Sequence, residues 1–341
     1  MKKPLRILVV MHPTLVPSDS LKGHTPEEIN VWKTEFDVVS TLRRLGHEVR
    51  PLGVQEELNP IRVAAEEWKP DVVFNLLEEF HGLSNFDQHV VAYLELLKLA
   101  YTGCNPRGLV LARSKAITKK IAAYHRVRVP AFFVVPRGRR PVRPRRLRFP
   151  LFVKSASEEA SLGISQASIV DSDEKLAERV RFIHESVESD ALVEEYIEGR
   201  ELYVGVIGNE RLRVLPTWEM DFGKLTDSGE PIATARVKHS PGYQKKHGID
   251  IRRAEGLDPA LERRIQSTTR RVYRMLELDG YARVDYRLTA TGELYLLEAN
   301  PNPEIAEKEE FASAAAAVGL KYRALLARLL TLALTRPGRL A

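Results

Sequence analysis

The chain has 341 residues, too many for one ordinary core, so two or three domains are expected. It is 44% hydrophobic and 29% charged, the balance of a globular protein, and no apolar run approaches the length of a membrane span. The net charge of +6 suits an anionic partner such as nucleic acid or ATP, and the single cysteine, Cys104, excludes an internal disulfide and a cysteine-based metal cluster.

The opening MKKPLRILVVMHP carries a short apolar stretch, Ile7 to Met11. It reads as a buried first strand and not as a signal peptide, so a cytoplasmic location is expected. Glu27 to Leu45 has apolar residues at helical spacing, with Gly46 as the stop. His47 to Leu52 is a second strand, Asn59 to Trp68 a short helix, and Asp71 to Leu76 a third strand. That third strand is nearly all apolar, as in a parallel sheet. A helix over Phe86 to Leu99 follows. This strand–helix alternation predicts a small doubly wound α/β domain over residues 1–112.

Leu109 to Tyr124 reads as one helix bearing Lys115 and Lys119. Val127 to Val135 is extended. Arg137 to Arg148, RGRRPVRPRRLR, is broken by Pro and Gly and reads as an exposed connector. No aromatic residues interleave with its arginines, so no nucleic-acid partner is expected. Phe149 to Lys154 is a strand ending in lysine, followed by a loop of small residues through Ser165. A lysine at a strand end beside exposed backbone N–H groups is a phosphate-binding arrangement, although alone it equally fits a solvated terminus.

Ser172 to Ser186 is a helix with a capping serine, and Ala191 to Ile197 a strand. Gly199 breaks the chain before Glu201, and Glu201 to Ile207 pairs with Arg211 to Pro216 around Gly208-Asn209. The acids Glu194, Glu195 and Glu201 flank that break. A connector of this type can offer backbone groups to an adenine edge and a carboxylate to a ribose. Phe222 to His247 is polar and aperiodic, and reads as a long lid or binding loop. Pro259 to Leu278 is an amphipathic helix, and Phe311 to Leu334 a closing one.

Between those helices lies Gly280 to Pro303, GYARVDYRLTATGELYLLEANPNP, two strands around a turn. Arg283 and Asp285 share one face by the two-residue period, as do Glu298 and Asn300. Paired, the strands gather two carboxylates, an amide oxygen and a guanidinium. Hard oxygen donors suit Mg²⁺ shared with phosphates, and the arginine suits charge developing on a transferring group. The chain has no Walker loop, no GxGxxG after a strand, no GxSxG elbow and no histidine pair at metal spacing. Phosphoryl transfer with Mg²⁺ and a nucleotide in a non-Walker site is the chemistry left.

Four segments in order resemble the ATP-grasp superfamily, and within it the D-alanine–D-alanine ligases. They are DVVFNLLEEFHGLSNFDQHVVAYLELLKLAYTG with Ser114-Lys115, PLFVKSASEEASLGIS, LVEEYIEGRELYVGVIG and RVDYRLTATGELYLLEANPNP. The resemblance implies an α/β protein with α+β subdomains: an ATP-grasp fold behind an N-terminal Rossmann-like domain with a parallel sheet. The expected division is residues 1–112, 113–190 and 191–341. It implies a carboxylate–amine ligase that forms an amide bond through an acyl phosphate, releasing ADP. The alternative is a nucleotide-binding homologue without ligase activity. ATP and two Mg²⁺, replaceable by Mn²⁺, are the implied cofactors. The implied partners are amino-acid-like carboxylate and amine substrates and a second subunit in a homodimer.

By position, Lys115 and Lys154 would contact the α- and β-phosphates, with Ser161 in the loop beside them. Glu194 and the backbone at Ile197 would hold adenine, and Glu201 the ribose. Lys238 would reach the γ-phosphate. Asp285, Glu298 and Asn300 would bind Mg²⁺, and Arg283 would stabilise the acyl phosphate and the tetrahedral intermediate. The departures fall in the amino-acid sites. Ala160 stands where the family has a serine, Pro301 to Glu304 replace its Ser-Pro-Gly run, and Glu309 or Glu310 replaces a substrate-anchoring serine.

Overall fold

The computed structural model describes residues 3–157, 163–227, 232–234, 236–237 and 240–336. Its first sheet is parallel, with β1 (Arg6–Met11) between β2 (Glu48–Gly53) and β3 (Val72–Asn75). The central strand is covered on both faces, and Ile7 to Met11 are all buried. That explains why its sequence is a continuous apolar run without alternation.

Helices expected to be single are interrupted. Residues 27–45 form α1 (Pro26–Val31), started by a Thr25–Glu28 capping box, and α2 (Lys33–Arg44), with Trp32 non-helical between them. After α3 (Asn59–Val63) and α4 (Asp87–Leu96), residues 109–124 likewise divide into α5 (Pro106–Arg113) and α6 (Lys115–Tyr124). Ser114 is extended, and its hydroxyl accepts from the Ile117 N–H, so the serine starts a new helix where periodicity alone continues the old one.

A second, antiparallel sheet has the order β4 (Phe132–Val135), β7 (Ala191–Glu195), β5 (Leu151–Ser155), β6 (Ile169–Val170). Helix α7 (Asp173–Ser186), capped by Ser172 as expected, packs Leu176, Val180 and Ile183 against Leu151, Val153 and Val193.

A third sheet, also antiparallel, runs β11 (Asp250–Arg253), β10 (Trp218–Asp221), β8 (Arg200–Ile207), β12 (Tyr281–Leu288), β13 (Leu294–Pro301), with β9 (Arg213–Val214) beside β8. The expected hairpin over residues 280–303 is β12 and β13. Strands β10 and β11 were not expected. The expected loop over residues 222–247 contains a turn of 3₁₀ helix, Gly223–Asp227, and helix α8 (Pro241–His247). Helix α9 (Pro259–Met275) is capped by Asp258 and buries Ile265, Val272 and Tyr273 over the sheet. The closing helix is two: α10 (Glu310–Ala316) and α11 (Tyr322–Leu334), separated at Gly319 in the left-handed region. Helix α11 returns to the first sheet, where Leu325, Leu326 and Leu329 join Ile7, Val9 and Leu42 in one core. No helix among the described residues is long and apolar enough to cross a membrane.

Gly199 sits between β7 and β8 and so joins the second sheet to the third. Its φ is +149°, and a Cβ there would lie 2.1 Å from the Leu288 carbonyl oxygen. Only glycine fits that approach.

Candidate functional site

The site is built where α6 meets the second and third sheets. On β12 the period of two places Arg283, Asp285 and Arg287 on one face; β8 supplies Glu201 and Tyr203 as their neighbours. The register pairs Asp285 with Tyr203 and Arg287 with Glu201 on one side of β12. On the other side Arg283 faces Asn300 and Asp285 faces Glu298. A shift in register follows Asp285, between it and Tyr286.

Arg283 holds Asp285 through two contacts, Nε to Oδ1 at 2.8 Å and Nη2 to Oδ2 at 3.0 Å, and its Nη1 donates to Glu310. The Asn300 side-chain amide donates to Asp285 Oδ2 at 2.9 Å. Burial works against the Arg283 charge, but Asp285 and Glu310 outweigh it and hold the guanidinium firmly protonated. Tyr203 lies under that guanidinium, 5.0 Å from ring centre to Cζ. Its hydroxyl donates to Glu201 Oε1 at 2.9 Å. Burial, then the charges of Glu201 and Asp285, push the Tyr203 phenol up, so it stays a donor. Arg287 completes the group with an ion pair to Glu201 Oε2 at 2.9 Å and a bond to the Gly199 carbonyl.

The second half of the site is a buried cation–anion–cation arrangement. Glu194 on β7 meets Lys154 on β5 at 2.8 Å and Lys119 on α6 at 2.9 Å. Lys119 has no exposed surface, and its ammonium also donates to the Leu297 carbonyl on β13 at 3.1 Å. One turn earlier on the same helix, Lys115 stands 3.9 Å from Glu298 of β13. The i, i+4 spacing thus lets α6 reach both sheets with two lysines. Burial opposes the Glu194 charge, but Lys119 and Lys154 outweigh it and keep the carboxylate ionised below its ordinary range. Burial, then the neighbouring charge of Lys154, works against the Lys119 ammonium, and its pKa is lowered despite Glu194. Burial opposes the Lys154 charge as well, but Glu194 and Glu298 outweigh it and raise its pKa.

The expected residues divide as follows. Lys115, Lys154, Glu194, Glu201, Arg283, Asp285, Glu298 and Asn300 converge on this junction. Ile197 lies half-buried in the connector between β7 and β8. Ser161 and Lys238, along with Ala160, lie outside the described residues. Three participants carry no role in the sequence reading, Lys119, Tyr203 and Arg287, while Glu310, one of two acids expected where the family anchors its second substrate, holds Arg283. Tyr203 and Arg287 each follow a chosen residue by two on the same strand, so the alternation already marked them.

Among the described residues no three His, Cys, Asp or Glu side chains gather into a metal cluster. The donor set at the hairpin is two carboxylates, Asp285 and Glu298, with the Asn300 amide beside them. All three offer oxygen, and Asp285 is buried in contact with Arg283 and Asn300, a donor set that fits a hard divalent cation such as Mg²⁺.

The family model described as D-ala D-ala ligase C-terminus matches residues 128–331. An uncharacterized protein of Sinorhizobium fredii, y4sG, is 30% identical over 303 residues, covering 87% of this chain and 86% of that one. A D-alanine–D-alanine ligase of Aquifex aeolicus is 28% identical over 309 residues, 91% of this chain and 97% of its own length. The crystal structure of a D-alanine–D-alanine ligase from Bacillus anthracis complexed with ATP shares the fold, with a TM-score of 0.72 over 97% of each chain at 22% identity.

Proposed function

The chain belongs to the D-alanine–D-alanine ligase family, and from that premise we propose that it is an ADP-forming carboxylate–amine ligase. The observation that carries the reading is the reach of α6. Lys115 stands beside the metal-side acid Glu298, and Lys119 one turn on holds the adenine-side acid Glu194 together with Lys154, so the phosphate, metal and adenine positions belong to one continuous site.

Lys115 and Lys154 hold the α- and β-phosphates, exchanging their present carboxylate partners for phosphate oxygens. Glu194 and the Ile197 backbone face the adenine, and Glu201 the ribose hydroxyls. Asp285, Glu298 and Asn300 hold two Mg²⁺, which screen the triphosphate charge when bound. A substrate carboxylate oxygen attacks the γ-phosphorus, the β–γ bridging bond breaks, and ADP leaves. The resulting acyl phosphate is attacked at its carbonyl carbon by an amine, and phosphate departs as the amide forms. Arg283 stabilises the anionic acyl phosphate and the tetrahedral intermediate.

The named relatives are D-alanine–D-alanine ligases, and this chain differs where D-alanine would sit. Asn302 adopts φ +55° and its side-chain oxygen accepts from the Cys104 N–H at 2.7 Å, so it is turned toward the first sheet. Glu310 occupies Arg283. We therefore read the chain as a ligase for another carboxylate–amine pair. Mixing the protein with Mg-ATP and amino-acid pools tests it: ADP and phosphate must appear only with a substrate pair, and release of AMP overturns the reading.

A further inference from the structure

A cavity of about 210 Å³ opens between α2, the end of β3 and the segment that leaves the metal hairpin. A liquid water takes about 30 Å³, so there is room for a short chain of several atoms. Its wall carries three carboxylates, Glu35, Glu78 and Glu304, with the amides of Asn30, Asn75 and Asn302, and it contains no Lys, Arg or His. Nearby Lys33 is committed to Glu309 at 2.8 Å.

Glu35 is the informative member. It is only 6% exposed on a helix face that otherwise packs Val38, Val39 and Leu42. Among the described residues no other residue donates to its carboxylate; its own backbone N–H is the single contact that favours its charge. Burial first, then the negative charges of Glu78 and Glu304, raise its pKa to about 7. Glu304 faces it with one hydrogen bond from Thr34 at 3.2 Å. Lys33, bound to Glu309, also favours the Glu304 charge but does not act on Glu35, and a buried acid with two like charges nearby is costly to keep ionised unless something positive enters. Only Pro301 separates Asn302 in the cavity wall from Asn300 at the metal hairpin, so whatever enters lies next to the reacting centre.

We propose that this cavity receives the cationic end of a substrate side chain, an ammonium or guanidinium on a short aliphatic arm. The ligase then takes a basic amino acid or a diamine as one of its two substrates. The inference rests on the ligase reading for its place in the reaction, but the binding itself does not require turnover.

The test is calorimetric titration at pH 8 with L-lysine, L-arginine and putrescine, and with norleucine and D-alanine as neutral-side-chain controls. It is run on the free protein and on protein saturated with a non-hydrolysable ATP analogue and Mg²⁺. At least one cationic probe binds at least tenfold more tightly than norleucine, and both Glu35→Gln and Glu304→Gln remove that preference while keeping the native circular dichroism. Equal binding of norleucine, absence of cation binding in both states, or an unchanged preference in both variants overturns the proposal. Cation binding, with no ADP released from Mg-ATP by any pairing of the bound probe with the amino-acid pools, overturns the ligase reading and leaves the cavity assignment standing. ADP formation with D-alanine and no cation preference does the reverse.

Discussion

Arg283 grips Asp285 with two parallel contacts of 2.8 and 3.0 Å, an arginine and the carboxylate two residues beyond it on the same strand. The pair fixes the carboxylate in place beside Glu298 and Asn300. Asp285→Asn removes the charge while preserving shape, and Glu310 still holds Arg283. The expected result is a loss of at least about 100-fold in ATP turnover with an unchanged circular dichroism spectrum. Turnover near wild type would refute the metal assignment.

Lys119 is a stability residue as well as part of the site. Lys119→Met leaves the buried Glu194 with one cation where it had two. Removing one partner of a buried ion pair costs about 3 kcal/mol or more. Thermal unfolding should therefore fall by several degrees, whereas Lys120→Met, one residue on and exposed, should leave it within about 0.5 kcal/mol. Equal effects would show that the buried triad is not the cause.

Glu35 makes stability depend on pH. Its folded pKa, about 7, lies above the ordinary 4.5, so the folded chain holds a proton that the unfolded chain releases. Its cost is absent below pH 4.5, grows between 4.5 and 7, and is fully present above that, reaching up to about 3 kcal/mol. Glu35→Gln is expected to raise the unfolding temperature at pH 8 and to leave it nearly unchanged at pH 5. A gain of the same size at both would contradict the assignment of that pKa to burial beside Glu78 and Glu304.

At the link between the second and third sheets, Gly199→Ala places a methyl group against the Leu288 carbonyl. Backbone cannot withdraw as a flexible side chain can, so the substitution should cost more than about 2 kcal/mol and shift the carbonyl that Arg287 uses. Denaturation together with nucleotide affinity measures both effects. An alanine variant as stable as wild type would remove the steric argument.

The parts legible in the sequence were those set by local rules. The two-residue period of a strand put Arg283 with Asp285 and Glu298 with Asn300, and serine capping placed the start of α7 at Ser172. Apolar runs marked β1 and β3. The helix breaks at Trp32 and Ser114 were invisible because the apolar spacing continues through them. Strand β11, Asp-Ile-Arg-Arg, sits at the sheet edge and shows little of the apolar alternation that marks a strand. In the sequence Lys119 is one more lysine on a helix. Its burial depends on Glu194, 75 positions later, and no local pattern reports that pairing.

The acyl phosphate is the central claim, and oxygen transfer tests it most directly. A substrate acid labelled with ¹⁸O in its carboxylate is incubated with the protein, Mg-ATP and the amine, and the products are weighed by mass spectrometry. The account predicts ADP, with one ¹⁸O in the released inorganic phosphate for each amide formed. AMP carrying the ¹⁸O, together with pyrophosphate, would contradict it.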